Sequence, residues 1–98
     1  MGILDGKKVL VTGSSRGIGA GIAKLLADEG ATIAVTYSSS EGPAREVVAS
    51  LKGSGHIIVP LNVGDEASVQ ACFAKVLESF GELDGLVNNA GITKDQLL

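Results

Sequence analysis

The 98-residue sequence predicts a three-layer α/β fold: a parallel sheet of about four strands in the order 3-2-1-4, with three helices. Three observations predict it. Four short, β-branched apolar runs alternate with three segments whose apolar residues recur at helical spacing. The connections between them are short, as right-handed βαβ units require. The 14 glycines, against 2 prolines, cluster at the ends of the runs rather than in a repeat, which points to tight backbone turns.

Lys8-Val9-Leu10-Val11-Thr12 reads as the first strand, buried on both faces and ending at Gly13. Ile18, Ile22, Leu25 and Leu26 follow at offsets that place them on one helical face, so they are the expected inner face of the first helix. Gly30 fits the left-handed position past its end. Thr32 to Tyr37 is the second strand. Ser40 or Glu41 opens the second helix, with Pro43 tolerated in the first turn, Val47, Val48 and Leu51 facing inward, and Gly53-Ser54-Gly55 closing it. The third strand is Ile57-Ile58-Val59, and Pro60 marks it as an edge. Asp65 caps the third helix, whose inner face is Val69, Cys72, Phe73, Val76, Leu77 and Phe80, and Gly81 ends it. Leu83 to Val87 is the fourth strand, running into Asn88-Asn89-Ala90-Gly91.

Composition removes several classes of function. With 45% hydrophobic and 19% charged residues the chain is globular rather than disordered. Eight basic against eleven acidic residues give a net charge of −3, the wrong balance for a nucleic-acid binder. No Lys/Arg-rich amphipathic helix serves a membrane surface, and no apolar run approaches the length of a bilayer span. One cysteine, Cys72, and one histidine, His56, support neither a disulfide framework nor a metal centre. The opening residues have no signal-peptide pattern, so a cytoplasmic protein is expected.

The sharpest feature is Thr12-Gly13-Ser14-Ser15-Arg16-Gly17-Ile18-Gly19, between the first strand and the first helix. A phosphate-binding turn belongs there. Gly13 turns the chain without a Cβ clash, Gly17 lets backbone approach a pyrophosphate, and Gly19 lets the helix pack close to the sheet. The helix start offers unpaired N–H groups and a positive dipole end to an anion. Ser14 and Ser15 are expected to add hydroxyl donors. The spacing is G-x-x-x-G-x-G and lacks the G-K-[ST] of a nucleoside-triphosphate loop. At the end of the second strand, Val35-Thr36-Tyr37-Ser38-Ser39-Ser40 carries no carboxylate before Glu41. An acid there would bind a ribose 2′-hydroxyl and repel a 2′-phosphate, whereas Arg16 can pair with that phosphate. The electrostatics therefore favour NADP over NAD.

The glycine turn together with Asn88-Asn89-Ala90-Gly91 resembles the short-chain dehydrogenase/reductase family, whose fold is of the Rossmann type. Within it, Leu61-Asn62-Val63 and the run from Leu86 to Leu98 resemble the 3-oxoacyl-(acyl-carrier-protein) reductases of fatty-acid synthesis. The resemblance covers the whole chain, and the chain covers well under half of a family member. It implies that Arg16 and Ser38 meet the 2′-phosphate, and that Asn62 and Val63 flank the adenine. It places Asn89, Ala90 and Gly91 along the nicotinamide ribose. It also implies NADPH-dependent reduction of a 3-oxoacyl thioester carried by acyl-carrier protein in the intact parent.

In the family a Tyr donates the proton, a Lys four residues on lowers its pKa, a Ser polarises the carbonyl and an Asn supports a proton relay. All lie beyond the fourth strand. Here Tyr37 is the one tyrosine and is followed four residues later by Glu41. No residue of the chain is therefore expected to be catalytic, and the chain is expected to be inactive alone. His56 stands at the opposite strand end, where a surface role is expected. Cut after Leu98, the fourth strand would keep a bare apolar edge at Leu86 and Val87, which invites pairing with a second copy. A homo-oligomer through that edge is expected. The alternatives are a dinucleotide-binding module without enzymatic activity and a self-associating fragment.

Overall fold

A computed structural model describes residues 2–89; Ala90, Gly91 and the tail to Leu98 lie outside the described residues. The elements run β1 (Lys8–Val11), α1 (Gly17–Asp28), β2 (Thr32–Tyr37), α2 (Glu41–Ser50), β3 (Ile57–Pro60), α3 (Glu66–Phe80) and β4 (Gly85–Val87). All neighbouring strands are parallel, in the order β3-β2-β1-β4. The predicted class, strand order and helix number are those observed.

Alternate residues of the strands feed two cores, one on each face of the sheet. Val9, Val11, Ile33 and Val35 point to one side, where Ala23 and Ala27 of α1 and Ala44 and Val47 of α2 cover them. Leu10, Ala34 and Val59 point to the other, under Cys72 and Val76 of α3. Leu10, Ile33 and Val35 have no exposed surface. Burial of side chains of this size contributes about 1.5–3 kcal/mol each.

The helix ends follow local chemistry. Asp65 accepts the Ala67 N–H at 3.0 Å and opens α3, and Gly81 closes it in the left-handed region at φ 79°. Gly30, at φ 101°, turns the chain after α1. β3 is an edge strand, with Pro60 opposite Tyr37 at its end.

Three expectations need correction. The inner face of α1 is Gly19, Ala23 and Ala27, while Ile18 is 77% and Leu25 68% exposed, with Ile22 and Leu26 half-buried beside it. A helix that leaves a turn directly against the sheet must approach closely, and small residues take the contact stripe. Leu77, placed on the inner face of α3, is 48% exposed. β4 is shorter than expected: it begins at Gly85, and Asp84 before it is tied to Lys8, whose N–H its Oδ2 accepts at 2.8 Å and whose carbonyl accepts the Asp84 N–H at 2.8 Å. No helix among the described residues is long and apolar enough to cross a membrane.

Candidate functional site

Strand register brings the candidate residues to one edge of the sheet. Val11 pairs with Val35 on one side and Val87 on the other, and Tyr37 pairs with Pro60. The chain therefore leaves β1 at Gly13, β2 at Ser38, β3 at Asn62 and β4 at Asn88 on the same side of the molecule. In the order 3-2-1-4 the switch point falls between β1 and β4, where open α/β sheets form their ligand crevice.

The glycine turn is held from three directions. Gly13 adopts φ 64° and Gly17 φ 56°, values that favour glycine. A Cβ on Gly19 would stand 2.1 Å from the Gly13 carbonyl oxygen, so α1 rests against its own entry turn. A Cβ on Gly17 would meet nothing within 4 Å, so the turn is open on the side where α1 begins. Asn89 Nδ2 donates to the Gly13 carbonyl at 3.3 Å. The Thr12 N–H donates to the Val87 carbonyl at 3.0 Å, and Thr12 Oγ1 lies 3.3 Å from both that carbonyl and Asn88 Oδ1. Asn88 and Asn89 thus brace β4 against β1.

Ser14 departs from its expected role as a hydroxyl donor to a ligand. It is fully buried, and its Oγ donates to the Val11 carbonyl at 2.6 Å and accepts the Thr36 N–H at 2.9 Å. Thr36 Oγ1 in turn accepts the Gly13 N–H at 3.0 Å and lies 3.2 Å from the Val11 carbonyl. This network knits the turn to β2, and its polar groups are consumed internally, as buried ones must be. Composition and periodicity did not single out Thr36. The available signal was a polar residue at the end of an otherwise apolar buried strand.

Beside the turn lies a cavity of about 190 Å³ lined by Gly13, Ser15, Tyr37, Ser38, Leu61, Asn62 and Val63. Five of the residues picked from sequence, Gly13, Ser15, Ser38, Asn62 and Val63, thus meet in one pocket. Tyr37 and Leu61 are additional walls. Asn62 Oδ1 accepts the Gly64 N–H at 3.0 Å, so the residue also shapes the turn after β3. Arg16 and Ile18 are exposed at the start of α1, and Arg16 has no ion-pair partner among the described residues. His56 lies at the opposite end of the sheet, half-buried rather than on the open surface. Its Nδ1 accepts the Ile33 N–H at 3.0 Å and its Nε2 lies 2.8 Å from the Lys52 carbonyl, so it extends the edge of the sheet.

The open turn presents glycine backbone and a helix start, features suited to an anion, and the pocket beside it has mixed polar and apolar walls. A parallel sheet of this order with this turn defines a Rossmann-type α/β protein.

Comparison with known proteins narrows the class. The chain belongs to the short chain dehydrogenase family, whose sequence profile matches residues 7–98. It is 49% identical over 94 residues to the 3-oxoacyl-[acyl-carrier-protein] reductase FabG of Staphylococcus aureus (strain N315), covering 94% of this chain and 38% of that protein. Against FabG of Escherichia coli (strain K12) it is 46% identical over 94 residues, with 96% of this chain and 38% of the relative covered. The chain therefore spans 38% of the length of these relatives. Among solved structures, a short chain dehydrogenase from Burkholderia cenocepacia J2315 in complex with NADP superposes with a TM-score of 0.80 at 46% identity, covering 97% of this chain and 41% of that one. A dehydrogenase/reductase from Sinorhizobium meliloti 1021 superposes with a TM-score of 0.85 at 42% identity, covering 91% of this chain and 36% of that one.

Proposed function

We propose that these 98 residues form the NADP-binding N-terminal part of a cytoplasmic 3-oxoacyl-(acyl-carrier-protein) reductase, and that they do not turn over substrate alone. The observation that carries this reading is the convergence of the open glycine turn with the pocket of Gly13, Ser15, Ser38, Asn62 and Val63. The similarity to the FabG reductases and to a dehydrogenase solved with NADP supports it.

The diphosphate would lie against the backbone at Arg16, Gly17, Ile18 and Gly19, over the start of α1. The adenosine would enter the pocket between Tyr37, Asn62 and Val63. Arg16 and Ser38 would hold the 2′-phosphate, Arg16 through paired N–H donors. Asn89 would lie along the nicotinamide ribose, where the family resemblance also puts Ala90 and Gly91, which lie outside the described residues. When bound, the cofactor supplies a hydride to a ketone carbon. A positioned acid must then supply a proton to the oxygen, and losing it costs about 10²–10⁴-fold in rate. The one tyrosine, Tyr37, has Glu41 rather than Lys four residues on and lines the adenosine pocket.

The test combines two measurements on the chain. Titration with NADPH should show saturable binding. Mixing with NADPH and a 3-oxoacyl thioester should show no oxidation above background. Turnover near that of an intact relative would overturn the inactive reading, and no binding would overturn the cofactor reading.

One observation favours a second reading, self-association. β4 pairs only with β1 among the described strands, and Leu86 on it, 51% exposed, lines a groove of about 410 Å³ whose apolar walls Leu4, Val9, Leu26 and Val87 are flanked by Lys7 and Asp84. A second copy pairing at this edge would cover both. A melting temperature that rises with protein concentration and ignores NADPH is the expected signature of that reading.

A further inference from the structure

We propose that Arg45 is a specificity-determining residue for the 2′-phosphate of the dinucleotide, although it lies outside the pocket: it neutralises Glu41, whose carboxylate would otherwise repel that phosphate. The inference rests on the proposed reading of the Gly13–Ser38–Asn62 pocket as an adenosine site.

Glu41 is the first carboxylate after β2 and the first residue of α2. Tyr37, a wall of the pocket next to Ser38, donates its hydroxyl to Glu41 Oε1 at 3.4 Å. The carboxylate therefore lies one hydrogen bond behind the pocket wall. Left bare, it would place a negative charge three residues past Ser38, on the side of the pocket that Tyr37 walls, and that charge would repel a 2′-phosphate held there. It is not bare. Arg45, one helical turn on, pairs with Glu41 Oε2. The two oxygens of Glu41 are thus divided between Tyr37 and Arg45. Asp65, the acid that follows β3, has an oxygen committed to the Ala67 N–H at the start of α3.

An exposed pair of this spacing adds little to helix stability. Its larger consequence is to the field at the pocket. A unit charge several ångströms from a doubly charged phosphate in a water-like dielectric changes affinity by about three- to tenfold at low salt. Salt screens such an effect.

Calorimetric titration with adenosine 2′,5′-bisphosphate and adenosine 5′-monophosphate tests this, because the two ligands differ only in the 2′-phosphate. The native chain should prefer the bisphosphate. Arg45→Gln should reduce that preference about three- to tenfold at low salt, with the difference shrinking at high salt. Arg45→Lys should retain the preference, and adding Glu41→Gln to Arg45→Gln should restore it. A purely helix-stabilising role would move melting temperature and leave the preference unchanged. If the native chain prefers the bisphosphate and Arg45→Gln does too, to the same degree, the proposal is overturned while the site reading stands. If the native chain does not distinguish the ligands, the site reading fails and takes the proposal with it. Should Arg45→Gln not fold, Glu41→Gln alone decides: the preference should rise by at least about twofold at low salt, and an unchanged preference overturns the proposal.

Discussion

The Gly13 carbonyl oxygen lies 2.1 Å from where a Cβ on Gly19 would stand, so the first turn of α1 and the bend that feeds it share one space. The opposing atom is backbone and cannot swing away. Gly19→Ala must move α1 off the turn, and overpacking of this kind costs about 1–3 kcal/mol or more. Gly17→Ala is the contrasting case. Its Cβ meets no protein atom, but φ of 56° strains any other residue by about 1 kcal/mol, and the methyl enters the space proposed for the diphosphate. Thermal melts should rank Gly19→Ala as the more damaging to stability. NADPH titration should find Gly17→Ala impaired well beyond its loss of stability.

Ser14 and Ser15 are neighbours with different duties. Ser14 Oγ bridges the Val11 carbonyl and the Thr36 N–H inside the protein, whereas Ser15 lines the pocket. Ser14→Ala leaves the buried Thr36 N–H without an acceptor, at a cost of about 1–3 kcal/mol. For a domain of this size that lowers the melting temperature by about 4–8 °C per kcal/mol. Ser15→Ala should leave the melting temperature within about 4 °C, since surface changes fall within about 0.5 kcal/mol, and should weaken NADPH binding. Reversal of these two phenotypes would contradict the assignment.

Arg16 stands exposed at the mouth of the turn without an ion-pair partner among the described residues. Its removal should therefore be felt by ligand rather than by fold. Arg16→Ala is expected to weaken NADPH about 10- to 100-fold, the worth of one charge-assisted contact, and NADH much less. The melting temperature of the free chain should barely change. Equal losses for the two nucleotides would move Arg16 from the 2′-phosphate to the shared diphosphate.

The sheet was readable in the sequence because its signals are local. Four apolar runs, each followed by a glycine or a polar turn, leave few parallel arrangements, and Pro60 marks β3 as an edge. The pocket was readable because the strand ends carry it, and parallel register aligns strand ends. The contact face of α1 was not. Ile18, Ile22, Leu25 and Leu26 make the more hydrophobic stripe, yet Gly19, Ala23 and Ala27 touch the sheet. Periodicity weighs side-chain hydrophobicity, while close approach selects for small size, and the two criteria differ here by one residue of rotation. Ser14 was misjudged for a related reason. A hydroxyl in a phosphate-type turn can face ligand or protein, and only the position of Thr36 across the sheet decides.

His56 gives a prediction at the far end of the sheet. Its Nδ1 accepts the Ile33 N–H at 3.0 Å, one position before β3 pairs with Ala34. The imidazole thus takes the place of a strand carbonyl. His56→Ala leaves that N–H to whatever water can reach it and should cost about 1–3 kcal/mol by thermal or urea unfolding. His56→Asn, with a shorter acceptor, should recover part of the loss. NADPH affinity of the folded fraction should be unchanged, since the pocket lies at the other strand ends. A selective loss of binding would place His56 in a role that its position does not provide.

Cys72 links packing to pH. Its side chain, on the inner face of α3, is 1% exposed among Leu10, Ala34 and Val59, and burial pushes the thiol above its ordinary value. The folded state therefore holds this proton more tightly than the unfolded state does. The resulting stability is fully present below the ordinary thiol pKa of about 8.5 and is lost as pH rises from there through the folded value. Denaturant midpoints should accordingly fall between pH 8 and pH 10. Cys72→Ala should flatten that dependence while lowering stability at every pH through the lost packing. A thiol reagent at pH 8 should label Cys72 only as fast as the chain opens, with full labelling in denaturant. Immediate labelling of the native chain would mean that α3 does not hold its place on the sheet, and the pH dependence would then need another group to explain it.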